Sequence, residues 1–308
     1  MPFFSVIIPL YNKENFIEAT LKSVISQTFT DFEIIIVDDG STDNSEKIIT
    51  KFSDYRIRYF KKCNEGASSA RNYGIEKIRS NYISFLDADD YWYPNFLDEM
   101  FKNINRFKNI KVFSAAIEVE TSKSTYPATY AIKKTGDFEI VNYFKASAKE
   151  TVICTSCAVF NKTVFQKVGF FDNQKKSGQD TDMWIRIGLC YEILFSWKIL
   201  ARYIYDENSL SKNKNLLNTK GDFTKFKEDE KTNPDLKKFL DLNRFSLAIK
   251  CKIAGNKTLY KTHYNNIDLK NLGTKKRILL LLPSFILKTL ISFKKILTDT
   301  GFGSSVFK

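Results

Sequence analysis

The chain has 308 residues, 43% of them hydrophobic, and a formal net charge of +13. That length supports one large or two ordinary domains with a substantial core. His263 is the only histidine, which excludes His-based catalytic triads and His metal sites.

In chain order, the apolar run 3–10 predicts a strand. The polar turn Tyr11-Asn12-Lys13-Glu14 leads into a helix over 15–27, with Phe16, Ile17, Leu21, Val24 and Ile25 at helical spacing. Residues 32–37 form a near-continuous apolar strand, as expected where both faces of a parallel sheet are covered, and end in Asp38-Asp39-Gly40-Ser41. A helix over 42–52, a strand over 57–60, a helix from Asn64 to about Arg79 and a strand over 82–86 come next. This alternation predicts an α/β fold with parallel strands and right-handed crossovers. Three strands then end in polar or acidic segments on one sheet edge, where ligands bind in open α/β sheets. The most charged is Asp87-Ala88-Asp89-Asp90, three carboxylates in four positions. Like charges so close repel unless something positive sits among them, and a divalent cation carrying a phosphate suits the role. Neither G-x-G-x-x-G nor a P-loop occurs, which disfavours an ordinary dehydrogenase or NTPase.

Ser5-Val6-Ile7-Ile8-Pro9-Leu10-Tyr11-Asn12, Val37-Asp38-Asp39-Gly40-Ser41-Thr42-Asp43, Asn64-x-Gly66 with Ala70-Arg71-Asn72, and Phe85-Leu86-Asp87-Ala88-Asp89-Asp90 resemble the family 2 glycosyltransferases of the GT-A fold. The resemblance is clear over 4–95 and fainter to about 211. It implies a GT-A-type, Rossmann-like mixed sheet with flanking helices, and an inverting transfer of sugar from a nucleotide-sugar donor. It implies that Pro9 and Tyr11 line the nucleobase, that Asp39 accepts the uracil N3–H, and that Arg71 reaches the base or diphosphate. Asn64, Asp87 and Ala88 join the donor-binding set. Asp89 is the implied ligand of a divalent cation, Mn²⁺ or Mg²⁺, with Asp90 as a possible substitute because the register of this motif varies.

Further on, residues 95–108 read as an amphipathic helix, 112–119 as a strand, 121–134 as a hairpin or loop over the acceptor side, 138–146 as a short helix and 151–160 as a strand. Cys154 and Cys157 lie in that apolar run and read as buried thiols. The five cysteines are scattered, and no leader pattern follows Met1, so a reducing cytosolic setting is expected. Gln179-Asp180-Thr181-Asp182 opens a helix and resembles the family's Glu-Asp motif, which implies that Asp180 is the general base. Residues 193–205 read as a strand or strand pair. Asp206 or Glu207 stands near a position where many relatives carry a His.

Residues 1–211 balance Lys and Arg against Asp and Glu, so the excess positive charge falls on 212–308. The expected organisation is a catalytic domain over 1–211, divided into a donor half (1–95) and an acceptor half (96–211), then a basic, mainly helical extension over 212–308. Within it, 212–235 reads as a linker or lid, 235–253 and 259–272 as helices, and 277–297 as one amphipathic helix. The longest charge-free run there is too short to span a bilayer, so the expected site is the inner face of the cell membrane, held at its surface. No nucleic-acid-binding motif is present. The acceptor is expected to be a glycan or lipid-linked glycan. The competing readings are a nucleotidyltransferase and a non-catalytic sugar-nucleotide or glycan-binding protein.

Overall fold

The computed structural model describes residues 1–205 and 221–299. Its first half contains β1 (Phe4–Leu10), α1 (Ile17–Ile25), β2 (Phe32–Asp38), α2 (Ser45–Ile49), β3 (Ile57–Lys61), α3 (Ala67–Lys77) and β4 (Tyr82–Phe85). The four strands are parallel in the order β3-β2-β1-β4. Every residue of β2 is buried. Ile7, Ile35 and Phe85 enter one apolar core, while Val6, Ile8 and Ile34 enter another. A strand covered on both faces cannot alternate polar with apolar residues, and these do not.

Then come β5 (Tyr91–Trp92), α4 (Phe96–Arg106), β6 (Val112–Glu120), β7 (Thr125–Pro127), β8 (Phe138–Val141), α5 (Tyr143–Ala146), a 3₁₀ turn at Thr155–Cys157, β9 (Ala158–Asn161), α6 (Thr163–Val168), α7 (Gln179–Cys190) and β10 (Ile193–Ile204). The sheet continues β4-β9-β6-β10-β5 and is mixed: β9 runs antiparallel to both β4 and β6, while β10 is parallel to β6. Residues 121–134 contain the expected hairpin, with β7 antiparallel to β6.

Several stretches depart from the sequence reading. Residues 138–146 are not one helix. Phe138–Val141 pairs antiparallel with β10, and the Asn142 side chain, accepting from the N–H groups of Phe144 and Lys145, starts the helix only at Tyr143. Residues 151–160 form a strand only from Ala158, because the preceding turn is held by the acidic segment. The expected linker over 212–235 is helical where described: a turn at Thr224–Phe226 and α8 (Lys227–Thr232), with Phe223 and Phe226 buried in the main core. Asp206, Glu207 and the expected boundary at 211 lie outside the described residues.

Four more α-helices follow among the described residues: α9 (Pro234–Ile253), α10 (Lys257–Asn265), α11 (Thr274–Leu281) and α12 (Ser284–Asp299). Residues 277–297 are thus two helices rather than one. Leu282, extended at ψ 143°, makes the break that Pro283 demands of the residue before it. Leu236, Phe239, Leu240 and Leu247 of α9 belong to the main core.

Two helices approach their neighbours through glycine. A Cβ on Gly74 would lie 2.4 Å from Ile7 Cγ2, and one on Gly188 would lie 2.8 Å from the Tyr143 ring. The first brings α3, and with it Arg71, close over β1.

Asp90 is 1% exposed and ties three elements together. Its Oδ1 accepts the Ile204 N–H at the end of β10 (3.0 Å), and its other oxygen accepts the Ser156 hydroxyl. Ser156 also accepts the Asp87 N–H at 3.1 Å, and the Thr20 hydroxyl donates to the carbonyls of Ala88 (3.0 Å) and Asp90 (2.8 Å). Burial, then the charges of Asp89 and Asp87, push the Asp90 carboxyl well above the usual range.

Gly74→Ala should lower stability by about 1–2 kcal/mol in urea unfolding, because overpacking against Ile7 outweighs the gain in helix propensity of about 1 kcal/mol; a stabilised variant would show that α3 lifts off β1 freely. A carboxyl raised in the folded state takes up a proton on folding, so its contribution to stability falls as pH rises above about 4. Asp90→Asn retains an acceptor for Ile204 and a donor for Ser156. With chelator present it should gain stability relative to the parent as pH rises from about 4 to 8, whereas Asp90→Ala should lose about 1–3 kcal/mol throughout.

Candidate active site

The carboxyl ends of β1, β2 and β4 share one edge. Leu10 is in register with Asp38, the Asp39 N–H donates to the Leu10 carbonyl (2.8 Å), and the Leu86 N–H to that of Ile7 (3.0 Å). Beyond these ends stand Tyr11, 47% exposed, and the half-buried Pro9 before it. Gly40 turns the chain at φ +79°, where a Cβ would lie 3.0 Å from the Asn64 N, so the β2 loop lies directly against the loop that leads to α3.

The two aspartates ending β2 divide their work. Asp38 is fully buried and closes its own turn, accepting the Ser41 N–H (2.7 Å) and the Tyr59 hydroxyl (2.6 Å). Asp39 reaches across to the α3 loop, where it accepts the Gly66 N–H (2.7 Å), the Glu65 N–H (3.1 Å) and the Lys62 ammonium (2.8 Å). Desolvation works against the charge on Lys62, but Asp39 and Glu65 outweigh it and hold the ammonium above its ordinary pKa. Asn64, in the same loop, is exposed.

Arg71 joins the two halves of the chain. Its guanidinium donates to Asp87 Oδ1 (2.7 Å) and to Asp180 Oδ1 (2.9 Å), with the Phe171 ring 5.4 Å from its centre. The Arg71 side chain is 4% exposed, whereas those of Asp87 and Asp180 keep 32% and 38%. The cation is therefore inside and both carboxylates face the opening. Desolvation opposes the Arg71 charge, yet Asp180 and Asp87 hold its pKa above the ordinary value. At Asp180, desolvation raises the carboxyl, Arg71 pulls it down and Asp87 pushes it up, for a net rise. Asp180 lies in the first turn of α7, whose positive end suits a carboxylate.

Asp89 points to the other side, where the Lys13 ammonium lies 2.6 Å from its Oδ2. Burial and Asp87 raise the Asp89 carboxyl, and Lys13 opposes the rise. No group of three or more His, Cys, Asp or Glu among the described residues could hold a metal by itself. The donors present fit a hard divalent cation that takes one or two carboxylates, Asp89 and Asp87, and fills its shell with phosphate oxygens and water. Asp90 fits less well, because its oxygens are committed to Ile204 and Ser156.

The structure thus brings Arg71, Asp87 and Asp180 into direct contact, places Ala88 and Asp89 in the same segment, and sets Pro9, Tyr11, Asp39 and Asn64 along the same strand ends. Three neighbours were not read from the sequence. Lys13 lay unmarked in a polar turn, although the need for a positive charge among the aspartates was a signal. Ser156 was hidden in an apolar run. Tyr203, near the end of β10, is close enough to the cluster that burial, then Asp90, Cys154, Asp89 and Asp87, raises its phenol; nothing in its sequence context marks it.

Comparisons with known proteins agree with this architecture. The family model described as glycosyl transferase family 2 matches residues 5–169. An uncharacterized glycosyltransferase of Rickettsia typhi is 31% identical over 204 residues, covering 65% of this chain and 63% of its own length. Glycosyltransferase GlyA of Streptococcus pneumoniae is 41% identical over 106 residues, 34% of this chain and 15% of its own. The chain therefore spans less than two thirds of these relatives. Among solved structures, S. aureus TarS superposes with a TM-score of 0.61 at 18% identity, covering 90% of this chain and 50% of TarS. TarS 1–349 in complex with UDP-GlcNAc gives 0.60 at 16% identity, covering 98% and 84%. The solved structures share the fold, the family model spans more than half of the residues, and the chain belongs to glycosyl transferase family 2.

Proposed function

We propose that this glycosyltransferase moves a sugar, with inversion, from a UDP-sugar to a hydroxyl of a glycan or lipid-linked glycan in cell-surface polysaccharide synthesis. The observation that carries the reading is the Arg71 bridge: a donor-side carboxylate, Asp87, and the candidate base, Asp180, share one guanidinium at 2.7 and 2.9 Å. A base fixed beside the donor cleft suits a single displacement, since no nucleophile relay accompanies it. A hexose or N-acetylhexosamine donor is favoured by the GT2 membership and by the UDP-GlcNAc bound in the TarS complex.

In this reading Tyr11 packs on the base, with Pro9 beside it. Asp39 accepts from the uracil, Asn64 borders the same loop, and Asp87 and Ala88 line the ribose side. Asp89, with Asp87, would hold Mn²⁺ or Mg²⁺, which when bound neutralises charge on the departing diphosphate. The free oxygen of Asp180 takes the acceptor hydroxyl proton as the acceptor oxygen bonds to C1 and the C1–O bond to the diphosphate breaks. Residues 1–211 form the catalytic unit and 212–308 a basic extension that holds it at the inner face of the membrane. The nucleotidyltransferase reading lacks a Gly-rich, basic triphosphate loop after β1, and a binding protein has no need of a base opposite the donor.

Asp180→Asn should lower the rate of UDP release from the donor by about 10²–10⁴-fold, leaving the donor KM within about threefold of the parent. Undiminished turnover would remove Asp180 from its role. A screen of nucleotide sugars by thermal shift should show stabilisation by a UDP-sugar that requires Mn²⁺ or Mg²⁺ and is lost in Asp89→Asn. Stabilisation without UDP release on any acceptor would favour the binding-protein reading.

A further inference from the structure

The outer face of the C-terminal helices carries large apolar side chains in the open. Leu281 is 76% exposed, Phe285 68%, Phe293 59% and Ile278 52%, with Leu290 and Ile291 near half. Together they leave on the order of several hundred Å² of apolar surface, the size at which a patch marks an interaction site. These residues are not frayed ends of loose helices. Leu280 and Leu287 of the same two helices are 2% exposed, and α11 and α12 both pack on α9. The carbonyl of Leu280, near the end of α11, accepts the Lys252 ammonium (2.6 Å) and the Tyr260 hydroxyl (3.2 Å), which fixes the bend before Pro283. Leu280 and Leu287 anchor the pair, while six large apolar side chains on the same two helices stay exposed.

We propose that this face is a membrane-docking surface that lies in the interfacial layer of an anionic bilayer, with Leu281, Phe285 and Phe293 inserted below the headgroups. Charge selects the occupant. Between Asp268 and Asp299 the sequence has no acidic residue and seven Lys or Arg. Lys275, Arg277 and Lys288 are exposed beside the patch. A second copy of the same face would bring like charges together around the apolar centre, whereas anionic headgroups complement them. No described helix is long and apolar enough to cross a membrane, so the helices lie along the surface.

The docking face is also coupled to the catalytic helix. α9 packs on α5, and α5 on α7, which carries Asp180. Lys145 of α5 pairs with Asp235 of α9 at 3.3 Å, and Lys225, just before α8, pairs with Asp182 of α7. A bilayer on α11 and α12 therefore holds the cleft at a set orientation to the surface, as transfer to a lipid-linked acceptor requires. That last consequence rests on the sugar-transfer reading; docking itself does not.

The test is cosedimentation of the full chain, without donor or acceptor, with phosphatidylglycerol or phosphatidylcholine vesicles. Binding to phosphatidylglycerol should be at least tenfold tighter than to phosphatidylcholine, and should weaken at least tenfold in 0.5 M NaCl. It should also weaken at least tenfold in Leu281→Asp and in Phe285→Asp; both residues are exposed, so unchanged thermal unfolding should show that these variants fold. Failure of the parent to bind phosphatidylglycerol, equal binding to both lipids, or undiminished binding by folded variants overturns the proposal. So does a parent that is dimeric by light scattering and becomes monomeric in the Asp variants, which assigns the face to a second copy. UDP release measured separately on the same samples shows whether sugar transfer stands or falls independently.

Discussion

Arg71 is a buried guanidinium whose two terminal nitrogens are each held by a carboxylate, one from each half of the chain, while its Nε has no hydrogen-bond partner among the described residues. Removing a charge this deep from water costs several kcal/mol, which is recovered only if both partners are in place. The Arg71 bridge therefore constrains more than its own neighbourhood. Asp87 lies just beyond a strand of the parallel half, and Asp180 opens a helix more than ninety residues later. Their distances to one guanidinium hold only when β4 and α7 sit in their observed relation. The small-residue face of α3, with Gly74 against Ile7, sets how deep the guanidinium lies.

Around this ion triad, backbone groups are oriented by side chains chosen for the purpose. Thr20 holds the turn of the acidic segment through the carbonyls of Ala88 and Asp90, and Ser156 takes Asp87 through its N–H and Asp90 through its carboxylate. Asp39 plays the same part between β2 and the α3 loop. The carboxylates facing the opening, Asp87 and Asp180, and Asp89 on the other side of the segment, are thus held in place by their neighbours. Such supporting contacts give a site its geometry before any ligand arrives. The segment's repulsions are offset locally by Lys13 and Arg71, which lie on opposite sides of it.

The parallel half was legible in the sequence because strands buried on both faces are apolar runs, and because each run ends in a polar turn that topology sends to one edge. Positions 39, 71, 87 and 180 could be placed near one another on that basis and on the family resemblance. The antiparallel insertions were not legible. β5 is two residues long and takes its identity from pairing with β10. β8 reads as the start of a helix until the Asn142 side chain is seen to cap only the turn that begins at Tyr143. β9 begins late because Ser156 is drawn into the acidic segment. Lys13 illustrates the general limit. The requirement for a cation among the aspartates comes from charge alone, but its carrier is decided by which loop lies over β4, a fact of tertiary structure.

The C-terminal helices show why the chain's charge can be so unevenly distributed without disturbing the cleft. α9 has two working faces. Leu236, Phe239, Leu240 and Leu247 enter the main core, while Ala248, with Leu242 and Phe245 beside it, packs against α10 and the later helices. The basic outer layer is therefore separated from α7 by α9 and α5. Helices pack about 8–10 Å apart, so two helix layers separate the exposed basic side chains from α7, and salt in the surrounding solvent screens those exposed charges over about 8 Å. The exposed Lys275, Arg277 and Lys288 act within about that distance on whatever approaches the outer face. The charge balance among Lys13, Arg71, Asp87, Asp89 and Asp180 is set by burial and by the contacts these groups make with one another. Physical separation of the two fields lets a strongly basic surface and a finely balanced acidic site share one fold.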